Sequence, residues 1–93
     1  GGDSFPKRIA QQIRDCKVVI FVSTVNSNQS DWTLNEIATA KEYNKKIIPF
    51  RFDNSQYSPA NMIYLAGIQY INYPNNPNAI SQLINAIQNA LTD

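Results

Sequence analysis

Apolar residues at Phe5, Ile9, Ala10, Ile13 and Cys16 recur at helical spacing and open the chain with a predicted helix. Asp3 or Ser4 stands where a cap belongs, and Pro6 suits the first turn. The period then changes. In "KVVIFVS", Val18 to Val22 is a continuous β-branched and aromatic run without polar alternation, the pattern of a strand covered on both faces. "TVNSNQ" reads as polar loop, and Ser30 as the N-cap of a helix running to about Asn44. "KKIIPFRF" is a second strand. Its Pro49 removes one ladder donor and argues against a fully central place in a sheet. A loop follows, with one short helix around Asn61 to Ala66 closed by Gly67. "IQYINY" gives a third, shorter strand, and "PNNPN" breaks the chain. Ile80, Leu83, Ile84, Ile87, Ala90 and Leu91 then space out a closing amphipathic helix.

The order is α-β-α-β-(α)-β-α, with strands expected near 18–23, 47–52 and 68–71. Alternation of this kind predicts an α/β fold: a three-stranded parallel sheet flanked by helices, joined by right-handed crossovers. Such sheets bind ligands beyond the carboxyl ends of their strands. The loop Ser23 to Gln29 leads from the first strand into the helix that carries Glu36, so Glu36 is expected at that edge.

Composition narrows the chemistry. The chain has 93 residues, enough for one small domain with a limited core. Its net charge is +1, and "KR" at 7–8 and "KK" at 45–46 are too short for a nucleic-acid or membrane patch. It has one cysteine, Cys16, and no histidine. That excludes an internal disulfide framework, the usual zinc ligand sets, and Ser-His or Cys-His nucleophile pairs. Cys16 reads as a small core residue or a helix-end filler. No metal, no nucleic acid and no membrane partner are expected, and a reducing, cytoplasmic setting is the default.

Within "SDWTLNEIATAKEYNKKIIPF", at ~100° per residue, Trp32, Glu36 and Tyr43 share a narrow sector of the helix. Leu34, Ile37, Ala38 and the stem of Lys41 lie opposite and read as the core face. Spacing alone leaves two accounts open. In one, Trp32 packs under a neighbouring loop and Glu36 is a solvated charge near the favourable end of the helix dipole. In the other, the ring walls a pocket and the carboxylate points into it.

The ordered set Ser23, Ser30, Trp32, Glu36, Ile37, Ala40 and Ile47-Ile48-Pro49 resembles the central part of a Toll/interleukin-1 receptor (TIR) domain of the bacterial type. Trp32-x-x-x-Glu36 is similar to the W-x-x-x-E signature of many bacterial TIR-type proteins. "YLAGIQYIN" resembles the family's last strand, with Asn72 where an Asp is common. A complete TIR domain has five strands. The resemblance therefore implies that residues 1–93 form a single partial domain of flavodoxin-like fold, lacking its first β-α-β segment and running from the second helix to the last. The expected consequence is an open edge on the first strand, prone to association.

The resemblance also implies an activity. Enzymatic TIR domains cleave the nicotinamide-ribosyl bond of NAD⁺, giving nicotinamide and ADP-ribose or a cyclic form. The implied role of Glu36 is the catalytic carboxylate, facing a ribosyl cation. Trp32 would shape the pocket, and Ser23 and Ser30 are placed to hydrogen-bond ribose or phosphate. Each serine also has a plainer role, at a strand end and as an N-cap. NAD⁺ is then a substrate, no cofactor is required, and other TIR domains are the partners by self-association, in bacterial immune-type signalling. Residues 1–93 alone are expected to be inactive. Two alternatives stand beside this: a non-catalytic TIR–TIR interaction module, and a nucleoside deoxyribosyltransferase-like enzyme. The latter family tends to approach its Glu through Asp-Gly-Thr, and "SDWTLNE" has no glycine.

Overall fold

The computed structural model describes residues 6–92. The expected caps Asp3 and Ser4, and Phe5, lie outside the described residues. Helix α1 (Lys7–Asp15) leads into β1 (Val18–Ser23), and a 3-10 turn (Ser27–Gln29) precedes α2 (Asp31–Glu42). Then come β2 (Lys46–Arg51), α3 (Pro59–Leu65), β3 (Ile71–Asn72) and α4 (Ala79–Thr92). The three strands form one parallel sheet in the order β1-β2-β3, as the alternating pattern predicts. The third strand begins later than expected and is only two residues long.

Local chemistry sets the boundaries of these elements. Ser30 caps α2, its side chain accepting from the Thr33 amide at 3.2 Å. Asn44 ends that helix in the left-handed region (φ 56°). The Lys45 amide reaches back to the Ala40 carbonyl and the Asn44 amide to that of Lys41, a Schellman arrangement. Ser58 caps α3, followed by Pro59 in its first turn, and Gly67 (φ 83°) lies beyond its end.

The core lies between the sheet and α1, α2 and α3. Ile13, Phe21, Ile37, Ala40, Ile47 and Leu65 form one buried cluster. Each fully buried aliphatic side chain there contributes about 1.5–3 kcal/mol. Strand β2 is covered on both faces: Ile47, Ile48, Pro49 and Phe50 are all buried, and α4 contacts it from the side opposite the cluster.

Two strand expectations need correction. Pro49 sits in the middle strand and is fully buried. The Phe52 amide bonds the Ser23 carbonyl, while the Arg51 carbonyl accepts from Tyr73. In a parallel ladder alternate residues bond alternate neighbours, so Pro49 shares the β3 side with Arg51. Strand β3 pairs only with Phe50 and Arg51, and the missing N–H costs the sheet no bond. Strand β1, for its part, is not covered on both faces. Phe21 and Ser23 are buried, but Ile20 and Val22 are 38% and 48% exposed. Its apolar run arises from one core face and one thinly covered face, beside an edge that no other described strand pairs.

The core face of α2 is also rotated from its expected position. Ile37 and Ala40 are buried, whereas Leu34 and Ala38 are only half-buried and Lys41 is exposed. Contacts with α1, β2 and α3 surround the Ile37–Ala40 side, and the small Ala40 permits close approach. This rotation brings Glu36 to the margin of the buried face.

Candidate functional site

Glu36 lines a cavity of about 250 Å³ along the outer side of β1. Val19 to Val22 form one wall, Ile13 of α1 closes one end, and Ser27, Thr33 and Ile37 complete the surround. Ser27 belongs to the turn beyond the carboxyl end of β1, so one end of the cavity reaches the region where parallel sheets hold ligands. The lining is mostly hydrocarbon, and Glu36 is its carboxylate. Burial alone raises the proton affinity of Glu36 above that of an ordinary glutamate. No cation stands within ion-pair distance of it among the described residues. The charged form therefore lacks both full hydration and a counter-ion, and a cationic group entering the cavity would relieve both deficits.

The other predicted site residues are placed differently. Trp32 is 41% exposed and is not part of the cavity wall, one turn from Glu36 although they share a helix sector. Ser23 is wholly buried, and its hydroxyl accepts from Asn28 Nδ2 at 3.0 Å. Ser30 is the α2 cap and does not line the cavity. The structure thus brings Glu36 together with Ser27 and Thr33, and leaves Trp32, Ser23 and Ser30 outside that wall.

Sequence reasoning passed over Ser27, Asn28 and Asn61. Ser27 Oγ accepts from the Thr24 amide at 2.8 Å and donates to the Thr24 carbonyl at 3.1 Å, while the Ser27 amide donates to Thr24 Oγ1. This reciprocal clasp shapes the loop that borders the cavity. Asn28, buried, bonds Ser23 Oγ and the Thr24 carbonyl through its amide nitrogen, and its oxygen accepts from Asn61 Nδ2 of α3. The signal available in the sequence was "TVNSNQS", where Ser, Thr and Asn crowd a turn and favour side chain-to-backbone bonds.

On the far side of the same sheet edge, Asp53 joins the loops that follow β1 and β2. It accepts from the Val25 amide at 3.1 Å and from the amide and hydroxyl of Ser55. These bonds, that of the Ser55 hydroxyl first, hold its carboxyl below the ordinary range.

A parallel sheet joined by crossover helices agrees with the family that the sequence resembles. No curated protein matches the sequence. The TIR domain family model matches residues 1–84 of the 93-residue chain, and the chain belongs to the TIR domain family, a family of signalling domains.

Proposed function

We propose that this domain, completed by the β-α-β segment that the family resemblance implies, cleaves the nicotinamide-ribosyl bond of NAD⁺. The observation that carries the reading is Glu36, a carboxylate raised in proton affinity by burial and set in an apolar cavity that runs along β1 to the turn at its carboxyl end. The pyridinium of NAD⁺ is a cation, and departure of nicotinamide moves that charge onto the ribose. The electron pair of the breaking C–N bond goes to the nicotinamide nitrogen, which leaves neutral without needing an acid. The anomeric carbon becomes oxocarbenium-like and is captured by water, giving ADP-ribose and a proton, or by an adenine nitrogen, giving a cyclic product. An unneutralised carboxylate nearby stabilises that transition state more than the ground state. A cavity of 250 Å³ suits the nicotinamide end rather than the whole dinucleotide, so the remainder would lie outside this wall.

Self-association with other TIR domains accompanies the activity in this reading. Trp32, exposed and outside the cavity, fits an intermolecular contact better than a substrate wall. The setting proposed is bacterial immune-type signalling.

The test is nicotinamide release by the completed domain and its Glu36→Gln variant. The substitution keeps size and polarity and removes the charge. The expected loss is ~10²–10³-fold in rate, with Glu42→Gln, at the far end of α2, close to the parent. Equal rates for parent and Glu36→Gln would overturn the catalytic assignment. A completed, self-associating domain that releases no nicotinamide would leave the non-catalytic interaction module as the better account.

A further inference from the structure

A second cavity, of about 310 Å³, lies between the end of β2, α3 and the segment leading into β3. It shares no lining residue with the cavity of Glu36. Leu65 and Ile68 give it an apolar floor that is continuous with the core. Arg51, the last residue of β2, reaches its wall half-buried, with the guanidinium carbon 4.8 Å from the centre of the Tyr70 ring. One guanidinium nitrogen donates to the Ser55 carbonyl at 3.2 Å. No carboxylate lies within ion-pair distance of Arg51 among the described residues. Asp53, whose charge Arg51 influences, is already engaged by Ser55 and Val25. Tyr57 also lines the cavity. Its hydroxyl is buried without a partner, within electrostatic reach of both Arg51 and Tyr70.

These features call for a particular ligand. A half-buried cation without a counter-ion and a buried hydroxyl without a partner each carry an unmet electrostatic demand. The guanidinium side borders one concave space bounded by apolar and aromatic surface, while the Tyr57 hydroxyl has no surface open to it. A guanidinium presents a planar fork of donors that matches a carboxylate, and the Tyr70 ring lies beside the Arg51 fork. The apolar floor and the Tyr57 and Tyr70 rings suit a flat ring better than a polar chain. We propose that this cavity is a binding site for a small aromatic carboxylate, its anion on Arg51 and its ring over Leu65 and Ile68. The site stands independently of the NAD⁺ reading, since neither Glu36 nor its cavity takes part.

The probe is 2-naphthoate, titrated into ¹⁵N-labelled protein, with 2-naphthylmethanol as the neutral counterpart and acetate as the ringless one. Saturable shifts are expected at the amides of Ala66, Gly67 and Ile68 with naphthoate. Binding at least tenfold weaker is expected for the alcohol and for acetate. Arg51→Gln should lose naphthoate binding by a similar factor and leave that of the alcohol unchanged. Arg51→Lys, which keeps the charge and loses the planar fork, should weaken naphthoate several-fold, and it provides the test if Arg51→Gln fails to fold. No saturable shift at these amides overturns the site. So does equal affinity for acid and alcohol, or unchanged naphthoate binding in Arg51→Lys together with any folded Arg51→Gln.

Discussion

Asn61 Nδ2 donates to Asn28 Oδ1 at 3.0 Å, a buried bond between residues 33 apart that ties α3 to the turn before α2. It is the inner link of a chain that continues through Asn28 Nδ2 to Ser23 Oγ at the end of β1. Both polar atoms of the Asn28 side chain are engaged in it, while Asn61 Oδ1 is buried without a partner. Asn61→Ala leaves the buried Asn28 oxygen without a donor, which costs about 1–3 kcal/mol. Urea denaturation of parent and variant measures it. A variant as stable as the parent would show that the link adds nothing.

Ser30 separates a capping role from a ligand-binding one. Ser30→Ala removes the acceptor for the Thr33 amide and should cost about 1 kcal/mol. Ser30→Asp restores an equally good cap and should recover most of the melting temperature. It also places a negative charge where a ribose or phosphate contact would need a neutral hydroxyl. A domain whose NAD⁺ turnover survives Ser30→Asp uses this residue as a cap alone.

Glu36 makes a prediction about pH. Burial raises its folded-state proton affinity above that of the unfolded chain. The folded state therefore binds the proton more tightly, and stability is lost as pH rises from the ordinary carboxylate range through the raised value. Glu36→Gln carries no charge at any pH. At neutral pH it should melt no lower than the parent, and any advantage should vanish on acidification. A lower melting temperature for Glu36→Gln at neutral pH would mean that the carboxylate has a structural partner.

Asp53 has the opposite sign. Hydrogen bonds from the Ser55 hydroxyl, the Ser55 amide and the Val25 amide, in that order, depress its folded-state value. Its contribution is present above the ordinary aspartate range and is lost as pH falls through the depressed value. Asp53→Asn should flatten that acid limb of the melting curve. An unchanged acid limb would show that the two loops are joined by other means.

The helices and the strand order were legible because their signals are local or periodic. Ser30 capped where the sequence placed a cap, and Gly67 took its positive φ just past α3. Glu36 was legible as the residue of interest, but its surroundings were not. Which face of α2 is buried depends on α1, β2 and α3 together, and the small Ala40 rather than Leu34 determines how closely they approach. Ser23 reads as a strand-end hydroxyl free for a ligand, and only the fold brings Asn28 to it. Pro49 misled for a related reason: a ladder position has two sides, and a sequence does not say which of them is occupied. The cavity around Arg51 joins residues from four segments of chain, and no spacing rule connects them.

The edge of β1 has a consequence for solvent exchange. Ser23 and Phe21 belong to the set of residues whose backbone groups face β2, so Ile20 and Val22 present their amides outward as well as their side chains. Deuterium should therefore enter β1 in alternation, rapidly at Ile20 and Val22 and slowly at Phe21 and Ser23. Any strand seated on that edge would quench the fast pair and leave the slow pair as it was. Two amides thus act as a built-in clock for the covering of this surface, and report it without a dye or a substrate.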